Sequence, residues 1–195
     1  MRASKGIPPQ RPGRLYSTEG GVETEIMYKW GYDLPKMAMY PLFRDPEAVE
    51  MVRGIYRRNY EVAIRHGMTV TTGGFDYRAS PDWGDVLGYS RDGLAETIYQ
   101  NFDWLVELAA EYEDEVDEIF IFACPGPRGD AYGTGNAITE AEAEDYHSWQ
   151  IEVSKKAGYD FLWAMTFNNV PEAVGLSRAA TALDMPHAIS LTLAG

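Results

Sequence analysis

The chain has 195 residues, 45% of them hydrophobic and 13% aromatic, which is enough to bury a core and excludes global disorder. Its 17 Lys+Arg stand against 30 Asp+Glu, and the resulting formal charge of −13 repels a phosphate backbone or an anionic membrane surface. A single cysteine, Cys124, excludes an internal disulfide and cannot supply a Cys-based zinc site alone. The histidines His66, His147 and His187 stand far apart, without metal-ligand spacing.

No apolar run approaches the ~18–20 residues of a membrane span, so a cytoplasmic protein that engages neither nucleic acid nor membrane is expected. Residues 1–14 are basic and proline-rich without an apolar segment and read as a flexible tail. Residues 15–195 read as one domain, since no linker or low-complexity tract interrupts them.

Arg14–Glu19 reads as a short first strand stopped by Gly20-Gly21. Asp45-Pro46-Glu47 opens a helix with Asp45 as N-cap and Pro46 at its first position. Val49, Val52, Tyr56, Tyr60 and Ala63 give that helix an apolar stripe, and Gly67 ends it. Met68–Thr72 is the second strand. Ser90 caps a second helix with its stripe at Leu94, Ile98, Phe102, Leu105 and Ala109.

Glu118–Cys124 is the third strand, and its continuous apolar run suits burial on both faces. Thr139-Glu-Ala-Glu142 is a capping box that starts a third helix, with Tyr146, Trp149, Val153 and Ala157 expected inward. Tyr159–Met165 is the fourth strand. Asn169-Val-Pro-Glu172 repeats the capping-box logic for a fourth helix, and His187–Leu193 is the fifth strand.

Five strands alternating with four helices mean βαβ units and a parallel sheet. An open doubly wound sheet and the first five-eighths of a (β/α)8 barrel both satisfy this pattern. Long loops after the strand ends carry Gly, Asp and Thr, as in catalytic βα loops. No GxGxxG or P-loop follows the first strand. Both features favour the barrel.

The chemically suggestive corners lie at strand ends. Glu19-Gly20-Gly21 places a carboxylate beside glycines that allow a ligand close to backbone N–H groups, while Glu19 accepts from an ammonium. Thr71-Thr72-Gly73-Gly74-Phe75-Asp76 offers hydroxyls and a second carboxylate at the end of the second strand, where a glycine-loosened connection is the simpler reading. Cys124 reads as a small buried hydrophobe and His147 as a packed or surface histidine. Glu19 and Asp76 as paired carboxylates across the mouth, roughly 5–10 Å apart, give the alternative of a barrel hydrolase.

Taken in order, these segments resemble the homocysteine S-methyltransferase family. The resemblance rests on Glu19-Gly20-Gly21 with Glu23-Thr24-Glu25, Asp45–Val49, Tyr77–Gly84 with Leu87-Gly88-Tyr89, and Gly126–Tyr132. It continues through Tyr146-His147 with Gln150, Glu172–Gly175, Arg178–Ala180 and Ile189–Thr192. It implies a (β/α)8 barrel, present here as about five strands and four helices. It further implies methyl transfer from a methyl donor to the thiol of homocysteine, forming methionine, and a substrate site at Glu19, Gly20, Gly21, Thr72, Asp76 and Thr166.

Zinc is the cofactor the resemblance implies, because a metal-bound thiol is deprotonated and becomes the nucleophile. The family holds it with cysteines after strand six and near strand eight, and this chain has neither segment, so no metal ligand is expected here. Three departures bear on the substrate. Glu19 stands where the family usually has Asp, Gly74 and Asp76 stand at its Thr-x-Thr pair, and Met165 before Thr166 stands at a substrate-binding Glu. A five-stranded piece is expected to be part of a longer protein or half of an assembly, as a homo-oligomer or with a partner chain completing the barrel. A non-catalytic subunit or pseudoenzyme is the remaining alternative.

Overall fold

The computed structural model describes residues 5–133 and 137–193, so residues 1–4 of the expected tail lie outside it. Five strands, β1 (Tyr16–Ser17), β2 (Thr69–Thr72), β3 (Ile119–Ala123), β4 (Phe161–Phe167) and β5 (His187–Leu191), form one sheet. All neighbours are parallel, and the sheet order β1-β2-β3-β4-β5 follows the chain. A doubly wound sheet needs a reversal of strand order, which puts helices on both faces. Here every crossover has the same sense, its helix returns to one face, and the sheet curls as part of a barrel.

The two faces of β3 show why this sequence curls. Ile119, Ile121 and Ala123 pack into the helical layer. Phe120 and Phe122, followed by Cys124, point to the barrel interior with Phe161. Side chains alternate along a strand, so an unbroken apolar run serves both faces at once. Burying such side chains contributes about 1.5–3 kcal/mol each.

The helices are α1 (Val22–Thr24, continuing as a π-helical turn through Lys29), α2 (Pro46–Arg65), α3 (Pro81–Val86), α4 (Arg91–Ala110), α5 (Glu140–Ala157) and α6 (Val170–Ala182). Four of them are the expected helices. The short α1 and α3, with 3-10 turns at Pro35–Met37 and Tyr40–Arg44, occupy segments that read as loops. The caps fall where the side chains indicate. Asp45 accepts from the N–H groups of Glu47 and Ala48, and Ser90 accepts from that of Gly93. Thr139 and Glu142 form the reciprocal box.

At α6 the capping logic holds only in part. Asn169 accepts from Glu172 N–H at 2.9 Å, but the Glu172 side chain turns into the protein instead of closing the box. The inward face of α5 also differs from the apolar stripe. Ala143, His147, Gln150, Ile151, Val153 and Ser154 are buried, while Tyr146, Trp149 and Ala157 are only partly covered.

At the N-terminal ends of the strands, Lys5 N–H and Ile121 N–H both donate to the Asp160 carboxylate at 2.8 Å. Lys5 Nζ reaches Ile119 O, and Arg14 Nε reaches Thr69 Oγ1. These contacts cover one end of the curled sheet and leave the C-terminal ends of the strands to the long loops.

Candidate functional site

A cavity of about 780 Å³ opens at the C-terminal ends of the strands. The loop after β1 supplies Glu19, Gly20, Gly21, Lys36 and Met37; the loop after β2 supplies Gly74, Tyr77, Arg78 and Trp83. Cys124 and Asp130–Tyr132 come from the loop after β3, and Met165 and Thr166 from the end of β4. Four of the six expected site residues, Glu19, Gly20, Gly21 and Thr166, therefore meet in one cavity.

Thr72 and Asp76 do not line that cavity. Both are about 1% exposed. Asp76 Oδ2 accepts from Cys124 N–H at 3.0 Å, Oδ1 accepts from Asn101 Nδ2 at 3.3 Å, and its carbonyl accepts from Gln150 Nε2 at 2.7 Å. Burial pushes the Asp76 carboxyl up to about 6, against those N–H donors. Its role here is to pin the β2 loop to β3, α4 and α5, so Asp76 does not face Glu19 across the cavity as the second acid of a paired-carboxylate hydrolase. The hydroxyl of Thr72 is buried without a hydrogen-bond partner among the described residues.

Glu19 is half-buried. Its Oε1 accepts from Gly73 N–H at 3.1 Å, which ties the end of β1 to the end of β2. Burial pushes its carboxyl up to about 8, although its own N–H, Gly73 N–H and Thr18 favour the charged form. Close approach of the chain makes glycine necessary beside it. A Cβ on Gly73 would lie 2.3 Å from the Phe122 ring, and one on Gly74 would lie 2.0 Å from Asn101 Oδ1.

Thr166 has φ of 61°, a left-handed conformation that a β-branched residue rarely adopts. The strand register shifts between Ala164 and Phe167, and Phe167 joins the helical layer although Phe161, Trp163 and Met165 lie on the interior side. The irregularity thus reverses the side-chain alternation and sets Thr166 at the mouth. Thr166 Oγ1 lies 2.6 Å from Tyr77 Oη and 2.7 Å from Met165 O.

The wall opposite the β1 loop rests on a buried carboxylate. Glu172 Oε1 accepts from Arg128 N–H at 2.5 Å and lies 3.1 Å from His147 Nε2, while Oε2 accepts from Asn169 Nδ2 at 3.0 Å. Burial alone raises the Glu172 pKa. The hydrogen bonds from His147, Arg128 N–H and Asn169 outweigh it together and hold the carboxyl below the usual range.

Arg78, absent from the expected site, also lines the cavity while only 8% exposed. Its Nη1 donates to Pro127 O and Gly129 O, each at 2.8 Å, and its guanidinium lies 5.0 Å from the Tyr77 ring centre and 4.9 Å from that of Trp83. Sequence reasoning placed Arg78 and Tyr77 in a family-like loop without a role. An arginine flanked by Tyr77 and Trp83 was the available signal.

Cys124 lines the cavity as well, with its thiol pushed well above the ordinary range by burial, then by the charges of Asp76 and Glu19. It is therefore protonated and poorly nucleophilic. Among the described residues no three His, Cys, Asp or Glu side chains converge to hold a metal ion, and no helix is long and apolar enough to cross a membrane.

None of the curated proteins matches the chain significantly. Among solved structures, the homocysteine methyltransferase MmuM from Escherichia coli in its metallated form superposes with a TM-score of 0.71 at 17% identity, covering 94% of this chain and 64% of that one. Its oxidized form gives 0.66 at 17% identity, covering 92% and 61%, and its apo form gives 0.64 at 17% identity, covering 94% and 61%. The likeness shows a shared fold, and the chain spans less than two thirds of the length of those structures. The family profile described as Homocysteine S-methyltransferase matches residues 18–195, nearly the whole chain. The chain belongs to the homocysteine S-methyltransferase family.

Proposed function

We propose that the cavity binds a thiol amino acid of the homocysteine type, as the methyl acceptor in transfer from a methyl donor to sulfur. The observation that carries this reading is the convergence of Glu19, Gly20, Gly21 and Thr166 on one cavity at the C-terminal mouth of the barrel. Glu19 offers carboxylate oxygens to an ammonium group. Gly20 and Gly21 carry no side chain, and a Cβ at either would meet open space, so a ligand can approach their backbone closely. Thr166 and Tyr77 add hydroxyls on the opposite side.

Methyl transfer also needs the thiolate, and a thiol of pKa about 8.5 is mostly protonated at neutral pH. In this family zinc supplies that activation, as a Lewis acid on sulfur. The described residues do not fit a zinc ion: Cys124 is the chain's single cysteine, and no three His, Cys, Asp or Glu side chains among them converge to hold a metal. The residues of this chain therefore bind and orient the acceptor, and none of them activates its thiol.

Calorimetric titration with homocysteine tests the reading. Binding that weakens at least tenfold in Glu19→Gln is expected. No binding at millimolar homocysteine overturns it. Binding with no methyl transfer by this chain is the behaviour of a non-catalytic subunit.

A further inference from the structure

We infer that Arg78 is a carboxylate-recognition residue, a buried guanidinium that holds the carboxylate of a substrate in the cavity. The inference rests on the proposed acceptor site and adds the group that selects amino acids over simple thiols.

Arg78 is 8% exposed and lines the cavity, yet no carboxylate lies within ion-pair distance of it among the described residues. Elsewhere the arginines of this acidic chain find carboxylates readily: Arg53, Arg57 and Arg58 all pair with glutamates. A buried cation left without an anion is costly unless other groups compensate. The compensation here is partial. Two backbone carbonyls occupy Nη1, and the Tyr77 and Trp83 rings flank the guanidinium.

Nε is buried without a hydrogen-bond partner, and the guanidinium's hydrogen bonds to described residues both leave from Nη1, so Nη2 is not engaged by them. Nε and Nη2 form the side of the guanidinium fork that takes a carboxylate through two parallel hydrogen bonds. The fork is held by Pro127 O and Gly129 O from one side and by aromatic rings, so its orientation is set before a ligand arrives. With Glu19 on the same cavity, one wall offers an acceptor for an ammonium and another offers a donor pair for a carboxylate. That charge arrangement is complementary to an α-amino acid zwitterion.

The carboxylate can belong to the acceptor or to a carboxylate-bearing methyl donor, and the test separates the two. The full chain and Arg78→Met are titrated with homocysteine, with its decarboxylated analogue 3-aminopropane-1-thiol, and with the sulfonium carboxylate dimethylsulfoniopropionate. Arg78→Met is expected to lose on the order of 10–100-fold for a carboxylate ligand and less than threefold for the amine thiol. Loss with homocysteine places the contact on the acceptor, and loss with the sulfonium places it on the donor; both support the inference. Equal loss for homocysteine and the amine thiol makes Arg78 a prop for the Pro127–Gly129 segment and overturns it, as does no loss for either carboxylate.

Propionate titration followed at the Arg78 Nε–H resonance by NMR gives a readout that does not need homocysteine. A saturable shift with no homocysteine binding would sustain the carboxylate site while the acceptor reading fails. No shift would count against Arg78 even where homocysteine binds.

Discussion

A carboxyl held at about 8 beside an incoming ammonium must give up its proton, and this can be measured. At pH 7 such a group is about 0.9 protonated, and a bound cation that lowers its pKa below 6 releases about 0.8–0.9 proton per ligand. Methionine, the S-methylated acceptor, is the suitable probe because it keeps the ammonium and has no ionisable thiol. Its affinity should rise roughly 50-fold between pH 6 and pH 8, equivalent to about 2.3 kcal/mol, as the proton-displacement cost disappears. Calorimetry in buffers of different ionisation enthalpy counts the protons directly. Glu19→Gln should bind with no proton release and a flat profile over the same range. The free chain supplies an independent sign. An acid whose folded pKa lies above its unfolded value near 4.5 binds its proton more tightly when folded, so stability falls as pH rises from 4.5 toward 8. Glu19→Gln removes that fall. Proton release that persists in Glu19→Gln, or a pH-independent wild type, would refute the reasoning.

Three further outcomes follow from the packing. Glu172→Ala should destabilise the chain by about 3–5 kcal/mol in urea denaturation, because His147 and Arg128 N–H lose their buried acceptor, while Glu172→Gln should cost less. The Glu172 carboxyl is held below its ordinary value of 4.5, so its stabilisation is complete above that pH and disappears as pH falls through the lower folded value; the Gln variant should lack this acid-side loss. Gly175→Ala places a Cβ 2.4 Å from that of Ala143 and 2.5 Å from Glu140 O, and should destabilise the α5–α6 contact by about 1–3 kcal/mol or more. Finally, β1 and β5 each have one strand neighbour among the described residues, and Leu191 and Leu193 are 55% and 84% exposed. Light scattering should find an assembly heavier than the 21.9 kDa chain, and a stable dilute monomer would overturn that expectation.

Strands and long helices were legible because their signals are local. The unbroken apolar run of β3 announces two buried faces, and Asp45, Ser90 and Thr139 each mark a helix start by a hydrogen bond within a few residues. The site was legible where it depends on backbone freedom, as at Glu19-Gly20-Gly21. It was obscured where polar side chains serve the interior. His147 and Gln150 face inward on α5 because Glu172 and the Asp76 carbonyl await them across the fold, and apolar periodicity passes over both. Asp76 failed as a cavity residue for the same reason, since its partners Cys124, Asn101 and Gln150 are 25 to 74 residues away in sequence. Thr166 acquires its exposure from a strand irregularity that nothing in Met165-Thr166-Phe167 signals.

The Glu172 junction has a consequence for how the mouth handles its guests. By joining the Arg128 backbone, His147 of α5 and Asn169 at the start of α6, it makes the β3–β4 flank a fixed jaw. The β1 flank presents Gly20, Gly21 and the left-handed Lys36 and Met37 to the cavity, and its tie to β2 is the bond from Gly73 N–H to Glu19 Oε1. On the proposed acceptor reading, shape discrimination would reside on the clasped jaw, and a larger or smaller side chain would be met by the glycine-lined one. On that same reading, a changed acceptor preference would be sought at Lys36 and Met37, leaving the clasp untouched.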